Sequence, residues 1–343
     1  MAHTLNYCQK GGTVIFKEQA EWYSTAWYND VYNWIAGRTA ENKLRVIGAI
    51  SEIKATDLSL VLRVPTDQGD IYFKATTGAA SHEARLSLYL YRLLGQKVSS
   101  IIATDEQRHW LLMRDIGGRR LRELRDEMTW KRAIEDYASI QLLMVAHVDA
   151  LISMGVPDRR LPVLRQEIEQ HLAGMCSTGL SSEETVNVMA LQPELMRMCD
   201  QIDGSIPASL DHGDLHSANI HVRDEEVVFF DWGDASVTHP FFSTAVFWNA
   251  LEELVDSESV WPQMVQKFKP YYLAAWSKYT TQEELARMSA ISDQLASVYR
   301  ALSWYLYINP TRKDVKDTYR RPAQWLQILL DQRRLTEESS SQS

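Results

Sequence analysis

Hydrophobic and polar positions change period along this chain, and the changes mark its elements. Residues 18–38 mix Trp, Tyr and charge and read as an aromatic-rich helix closing at Gly37. Three β-type runs follow: Leu44–Ile50, Leu58–Val64 and Ile71–Ala75. In the second, Leu58, Leu60, Leu62 and Val64 share one face, and Asp67-Gln68-Gly69-Asp70 predicts a hairpin into the third. Ser81 offers an N-cap for a helix from about His82 to Leu94, which Gly95 stops. Two more strand-like runs, Val98–Ala103 and Trp110–Arg114, end at the flexible-looking Asp115-Ile116-Gly117-Gly118. Beyond Leu121, helical periods dominate. One hairpin interrupts them: Ile220–Val222, a turn at Asp224-Glu225-Glu226, then Val227–Phe230. The pattern predicts an α+β chain. A small lobe over 1–115, with a five-stranded antiparallel sheet and one main helix, precedes a mainly helical lobe over 116–336. Residues 337–343 (EESSSQS) read as a disordered tail.

The bulk composition narrows the class. A length of 343 residues suits two lobes. The net charge of −9 and pI near 5.5 argue against a nucleic-acid groove, which needs clustered Lys and Arg. Cys8, Cys176 and Cys199 are far apart and form no Cys-x-x-Cys pair, so a reducing, cytoplasmic setting is expected. The N-terminus lacks the charged start and apolar run of a signal peptide. No apolar run reaches the roughly eighteen residues of a membrane span.

The candidate chemistry concentrates in Leu210–Ala235, LDHGDLHSANIHVRDEEVVFFDWGDA. Asn219 follows Asp214 by five residues, and Asp231 follows Asn219 by twelve. That set can supply one proton acceptor and two oxygen ligands of the kind magnesium prefers. Phosphoryl transfer from a metal-bound nucleotide needs little more. Asp231 directly follows the apolar run Val227-Val228-Phe229-Phe230, where a carboxylate is costly unless paired or metal-bound. Asp214 is the candidate base, His212 reads as scaffold, and His216 is open between a phosphate contact and packing. Lys74 sits inside the strand IYFKAT, and Glu83 opens the next helix. A strand Lys held by a helix Glu can grip the α- and β-phosphates of ATP.

In this order the residues resemble the aminoglycoside phosphotransferase family, the small-molecule branch of the bilobal protein-kinase-like fold. HGDLHSANI matches its His-Gly-Asp-x-x-x-x-x-Asn loop, and Asp231-Trp232-Gly233 its metal-binding Asp-x-Gly. QLLMVAHVDALISMGVPDRRL is similar to a segment of bacterial members. The resemblance implies that Asp214 is the catalytic base, that Asn219 and Asp231 bind Mg2+, and that Lys74, oriented by Glu83, binds the phosphates of ATP or GTP. It further implies that backbone around Arg114, Asp115 and Ile116 reads the base edge, and that a loop around Ser51–Asp57 covers the phosphates. That loop has no glycine, as in many small-molecule members, and no long activation segment follows Asp231. Both disfavour a protein substrate. The expected partners are a nucleotide and a hydroxylated small molecule such as an antibiotic, amino-sugar or metabolite alcohol. Glu252, Glu253 and Asp256 on a later helix offer an acidic patch for a cationic acceptor, against a plain solvated face. Trp232 and Trp248 read as core rather than sugar-stacking residues. Two alternatives stay open here: a metal-dependent hydrolase built on His212, Asp214 and His216, and a catalytically silent nucleotide-binding regulator.

Overall fold

A computed structural model describes residues 24–255, 260–311, 316 and 318–341. In chain order its strands are β1 (Ser51–Ala55), β2 (Ser59–Thr66), β3 (Gly69–Thr76), β4 (Ile101–Asp105), β5 (Trp110–Arg114), β6 (Arg119–Arg120), β7 (Ser209–Asp211), β8 (Ile220–Arg223), β9 (Glu226–Phe229) and β10 (Ser236–Thr238). Its helices are α1 (Thr25–Glu41), α2 (Glu83–Leu94), α3 (Glu127–Met144), α4 (Val148–Ser153), α5 (Leu161–Cys176), α6 (Ser182–Ile202), α7 (Thr244–Ala250), α8 (Trp261–Ala274), α9 (Gln282–Leu302) and α10 (Arg321–Ser341). The chain divides into two compact units, residues 1–119 with 221–233, and residues 120–220 with 234–343.

The first unit is built on a five-stranded antiparallel sheet in the order β1-β2-β3-β5-β4. Alternation places Leu60, Leu62 and Val64 of β2, Ile71, Phe73 and Ala75 of β3, and Trp110 and Leu112 of β5 in one core. Val31, Trp34 and Ile35 of α1 close that core, and Trp34, Phe73 and Trp110 meet edge to face at 5.6–5.8 Å. Hairpin β8–β9 turns on Asp224 and Glu225, both at positive φ, the signature of a two-residue type I′ turn. It is tied to this unit by a bridge from Val98 to Phe229 and by Lys97–Glu226 at 3.2 Å.

Several expectations shift. The first strand is Ser51–Ala55 instead of Leu44–Ile50, so most of the presumed phosphate-covering loop is strand. Leu44 and Ile50 carry apolar pattern because they are buried in the core, while β1 is an edge strand with no fully buried position. The real β1–β2 turn is Thr56–Leu58, where the Thr56 hydroxyl takes the Leu58 and Ser59 N–H groups. Helix α1 starts at Thr25, capped by Ser24, and runs through Gly37 to Glu41, while residues 18–23 of the expected helix lie outside the described residues. Helix α2 is capped by His82 and not by Ser81, which ends a preceding 3-10 turn. Helix α10 continues to Ser341, past the start of the expected tail, from an anchor of buried Leu326, Leu329 and Leu330.

The second unit is mainly helical, with the short pair β7–β10 at its centre. Trp130, Phe247, Tyr272, Trp276 and Tyr299 of this unit are fully buried. Cys176 and Cys199 are free and buried thiols. Among the described residues no helix is long and apolar enough to cross a membrane.

His239, two per cent exposed, follows β10 and packs on Phe241 and Phe242. Its Nδ1 accepts the Phe241 N–H, Nε2 has no hydrogen-bond partner among the described residues, and burial alone pushes its pKa down to about 3. The unfolded imidazole takes a proton near 6.5. Between those values the unfolded chain binds the extra proton, so this stability is present above about pH 6.5 and is lost as pH falls toward 3. Relative to His239→Asn, which keeps an acceptor and does not titrate, wild-type unfolding free energy should drop by about 2–3 kcal/mol between pH 7 and pH 4.5. Urea unfolding at both pH values tests this, and parallel curves for the two proteins would refute it.

Candidate active site

In β3, the residues that alternate with core-facing Ile71, Phe73 and Ala75 point to the other face of the sheet, and Lys74 is one of them. Its ammonium lies 2.6 Å from Glu83 Oε1 and 2.6 Å from Asp231 Oδ1. The Lys74 and Glu83 side chains are 9% and 3% exposed, whereas Asp231 is 38% exposed. One arm of the bridge is therefore dry and the other opens to solvent. Burial opposes the ammonium charge, but Asp231 and Glu83 outweigh it and hold the Lys74 pKa well above its ordinary value. Asp231 sits at φ 67, a left-handed conformation that a non-glycine residue adopts only when its surroundings impose it. Two residues on, a Cβ at Gly233 would stand 3.1 Å from Glu83 Oε2, so glycine there admits the helix-borne carboxylate.

Arg114, Asp115 and Ile116 line a cavity of about 370 Å³ together with Tyr91, Ser99 and Arg223. Their backbone is pinned from three sides. Arg114 N donates to Ser100 O, Asp115 N to Asp70 O, and Arg223 donates to Ile116 O.

In the second unit, β7 delivers the loop that bears Asp214. Gly213 has φ 76, and a Cβ there would run into the Asp234 carbonyl. Asp214 is 31% exposed, with Oδ2 at 3.3 Å from His216 Nε2 and Oδ1 at 3.5 Å from Arg300. Because His216 Nδ1 accepts the Ala218 N–H, its proton is on Nε2, where it donates to Asp214. Burial raises the Asp214 pKa, but the His216 hydrogen bond and the Arg300 charge bring it below the ordinary carboxylate value. Asn219 Nδ2 donates to the Asp214 carbonyl, which turns its amide oxygen the other way.

Beneath the loop, Asp211 is one per cent exposed. It accepts from Tyr299 at 2.7 Å, from Gly213 N at 2.8 Å and from Ser243. Tyr137 bonds both Ser243 and the His212 N–H. Asp211, Tyr299 and Arg300 were not legible as site residues. Arg300 lies far along the chain in an ordinary helical pattern, and its one signal is a charge between the apolar neighbours Tyr299 and Ala301.

This geometry does not favour the hydrolase alternative. Among the described residues no three His, Cys, Asp or Glu side chains gather to hold a metal. His212 is fully buried with Nδ1 spent on the Asp214 N–H, and His216 is spent on Ala218 and Asp214. Glu252 and Glu253 lie on a 3-10 turn, and Asp256 lies outside the described residues. Glu253 pairs with Arg122 at 3.4 Å and accepts from Ser217, so the expected acidic patch is partly neutralised. Trp232 and Trp248 are buried, as core residues should be.

The sequence matches the model of the phosphotransferase enzyme family over residues 48–287. No curated protein matches it. Among solved structures, a macrolide 2'-phosphotransferase type I is 16% identical with a TM-score of 0.58, covering 88% of this chain and 98% of its own. A choline kinase from Cryptosporidium parvum is 12% identical with a TM-score of 0.58, covering 91% and 97%. A GDP and kanamycin complex of an aminoglycoside phosphotransferase is 14% identical with a TM-score of 0.55, covering 88% and 97%. At these identities the likeness is one of fold, and the fold is kinase-like.

Replacing Lys74 by Met leaves Glu83 in its buried place without the ammonium. We expect a loss of about 3–5 kcal/mol in urea unfolding, with at least half recovered in Lys74→Met/Glu83→Gln. A Lys74→Met protein as stable as wild type would show that the pair carries no such strain.

Proposed function

This chain belongs to the phosphotransferase enzyme family and is a small-molecule kinase, and from that premise we propose that it moves the γ-phosphate of ATP or GTP to a hydroxyl of its acceptor. One observation carries the reading. Lys74 of β3, Glu83 at the start of α2 and Asp231, 157 residues beyond the lysine, are joined by two 2.6 Å ion pairs, and a strand lysine held by a helix carboxylate is a phosphate-gripping arrangement. In this reading Lys74, held by Glu83, takes the α- and β-phosphate oxygens. Backbone of Arg114, Asp115 and Ile116 takes the base edge.

Asp214 orients the acceptor hydroxyl and accepts its proton. The hydroxyl oxygen bonds to the γ-phosphorus as the bond to the β-phosphate oxygen breaks, and a nucleoside diphosphate leaves. The low pKa of Asp214 keeps it ionised at neutral pH, so it is ready to orient a hydroxyl. Asn219 and Asp231 offer an amide oxygen and a solvent-reaching carboxylate, a donor set that fits Mg2+. When bound, that ion would neutralise phosphate charge. In the free protein Lys74 holds Asp231, so the carboxylate is placed before any ligand arrives.

The acceptor class stays broad: an aminoglycoside or other antibiotic, an amino-sugar, or a small metabolite alcohol. Relatives named for a macrolide and for choline share the fold, so the fold sets the reaction and leaves the acceptor to local side chains.

A coupled nucleotide-turnover screen with ATP and GTP against hydroxylated small molecules tests the proposal. Asp214→Asn should lower kcat by at least about a hundredfold, with the nucleotide KM little changed. Turnover that survives Asp214→Asn would remove Asp214 from the role of base. Tight nucleotide binding without turnover on any acceptor would favour a silent regulator.

A further inference from the structure

Arg300 is six per cent exposed, and a buried guanidinium is costly unless its charge is used. Its neighbour in kind shows the ordinary solution. Arg159 pairs with Glu167 at 3.0 Å and stacks on Tyr299 at 3.9 Å, which staples helices together away from Asp214. Arg300 is spent differently. It donates to the Gly213 carbonyl, and Asp214 is the one carboxylate within ion-pair distance among the described residues. The Trp325 ring of α10 supports the guanidinium from 5.7 Å.

We propose that Arg300 is a positioning residue for the proton acceptor, fixing both the backbone and one carboxylate oxygen of the Asp214 loop. The proposal rests on Asp214 being the base. Consecutive residues of α9 reach two points of the same loop, Tyr299 at Asp211 and Arg300 at Gly213 and Asp214. A rigid helix thereby sets a loop that carries glycine in a left-handed turn. Arg300 takes Asp214 Oδ1 and His216 takes Oδ2, so rotation of the carboxylate is restrained from both sides. The 31% of the side chain that stays exposed is the edge presented to an incoming hydroxyl. The guanidinium also offsets part of the carboxylate charge, which would otherwise repel a phosphate brought close to it.

The test uses the full chain with MgATP, with water as acceptor or the acceptor scored in the screen above. Arg300→Ala should lower kcat about ten- to hundredfold, as for a displaced reacting group, and change the MgATP KM less than about twofold, since uniform binding is untouched. Millimolar guanidinium chloride should restore part of kcat in Arg300→Ala and none in Asp214→Asn. Arg300→Lys should keep more activity than Arg300→Ala, which separates positioning from mere loss of fold. Independently of turnover, amide hydrogen exchange over residues 209–219 should quicken in Arg300→Ala while β1–β5 exchange as in wild type. A folded Arg300→Ala protein with wild-type kcat and wild-type exchange over 209–219 overturns the proposal. If Asp214→Asn stays active while Arg300→Ala loses kcat, the base assignment fails instead. If Asp214→Asn is dead and Arg300→Ala is unaffected, the positioning role fails alone.

Discussion

A lysine buried inside a β-sheet constrains the whole first unit. Lys74 cannot stay charged there without carboxylates, and two are brought to it, one from nine residues and one from 157 residues further along the chain. Glu83 arrives because α2 begins at that residue, so its carboxylate lies at the helix N-terminus, where the helix dipole also favours a negative charge. Asp231 arrives because hairpin β8–β9 is pinned to the α2–β4 connection and then turns sharply through a left-handed residue. The glycine at 233 leaves room for the Glu83 carboxylate of this bridge. The bridge is also asymmetric. Its dry half fixes the lysine, and its wet half leaves a carboxylate where a ligand can compete for it.

The second unit solves a comparable problem without a lysine. Asp211 is as buried as any apolar residue, and it is satisfied by hydroxyls and a backbone N–H. Tyrosine and serine hydroxyls suit this task because they donate to a carboxylate and can pass the polarisation on, as Tyr137 does through Ser243. The network lies directly under His212-Gly213-Asp214. A loop seated on fully paired buried groups has few alternative positions, which would suit the role proposed for Asp214.

The parts legible from sequence were those in which one residue type has one physical use. Alternating Leu60, Leu62 and Val64 identified β2, the glycine at 95 ended α2, and the lysine within IYFKAT stood out because nothing apolar excuses it. The edge strand was misplaced because β1 buries little and shows no alternation, while Leu44 and Ile50 imitate a strand by being buried in the core. The acidic run Glu252, Glu253 and Asp256 leaves a cation site and a plain solvated face open in sequence, because a carboxylate does not show its partner: Glu253 meets Arg122 and Ser217, both distant in sequence. Arg300 was invisible for the same reason. Its meaning lies in a contact with Asp214 across 86 residues of chain, and helical periodicity reports only that the position is helical.

That asymmetry explains why the reaction is easier to read than the acceptor. Phosphate chemistry calls for a few charged side chains whose burial is expensive, so their order along the chain leaves a mark. Recognition of an acceptor can be assembled from polar groups on separate turns and helices, each cheap alone and each with an innocent structural use. Glu253 illustrates this, since its ties to Arg122 and Ser217 already satisfy it in the free protein. An ammonium-bearing acceptor would have to displace Arg122 from that carboxylate and regain a comparable ion pair, so the net gain from this residue is small in solvent-exposed surroundings. Selectivity for such an acceptor would therefore rest on shape and buried apolar contact more than on the acidic residues themselves.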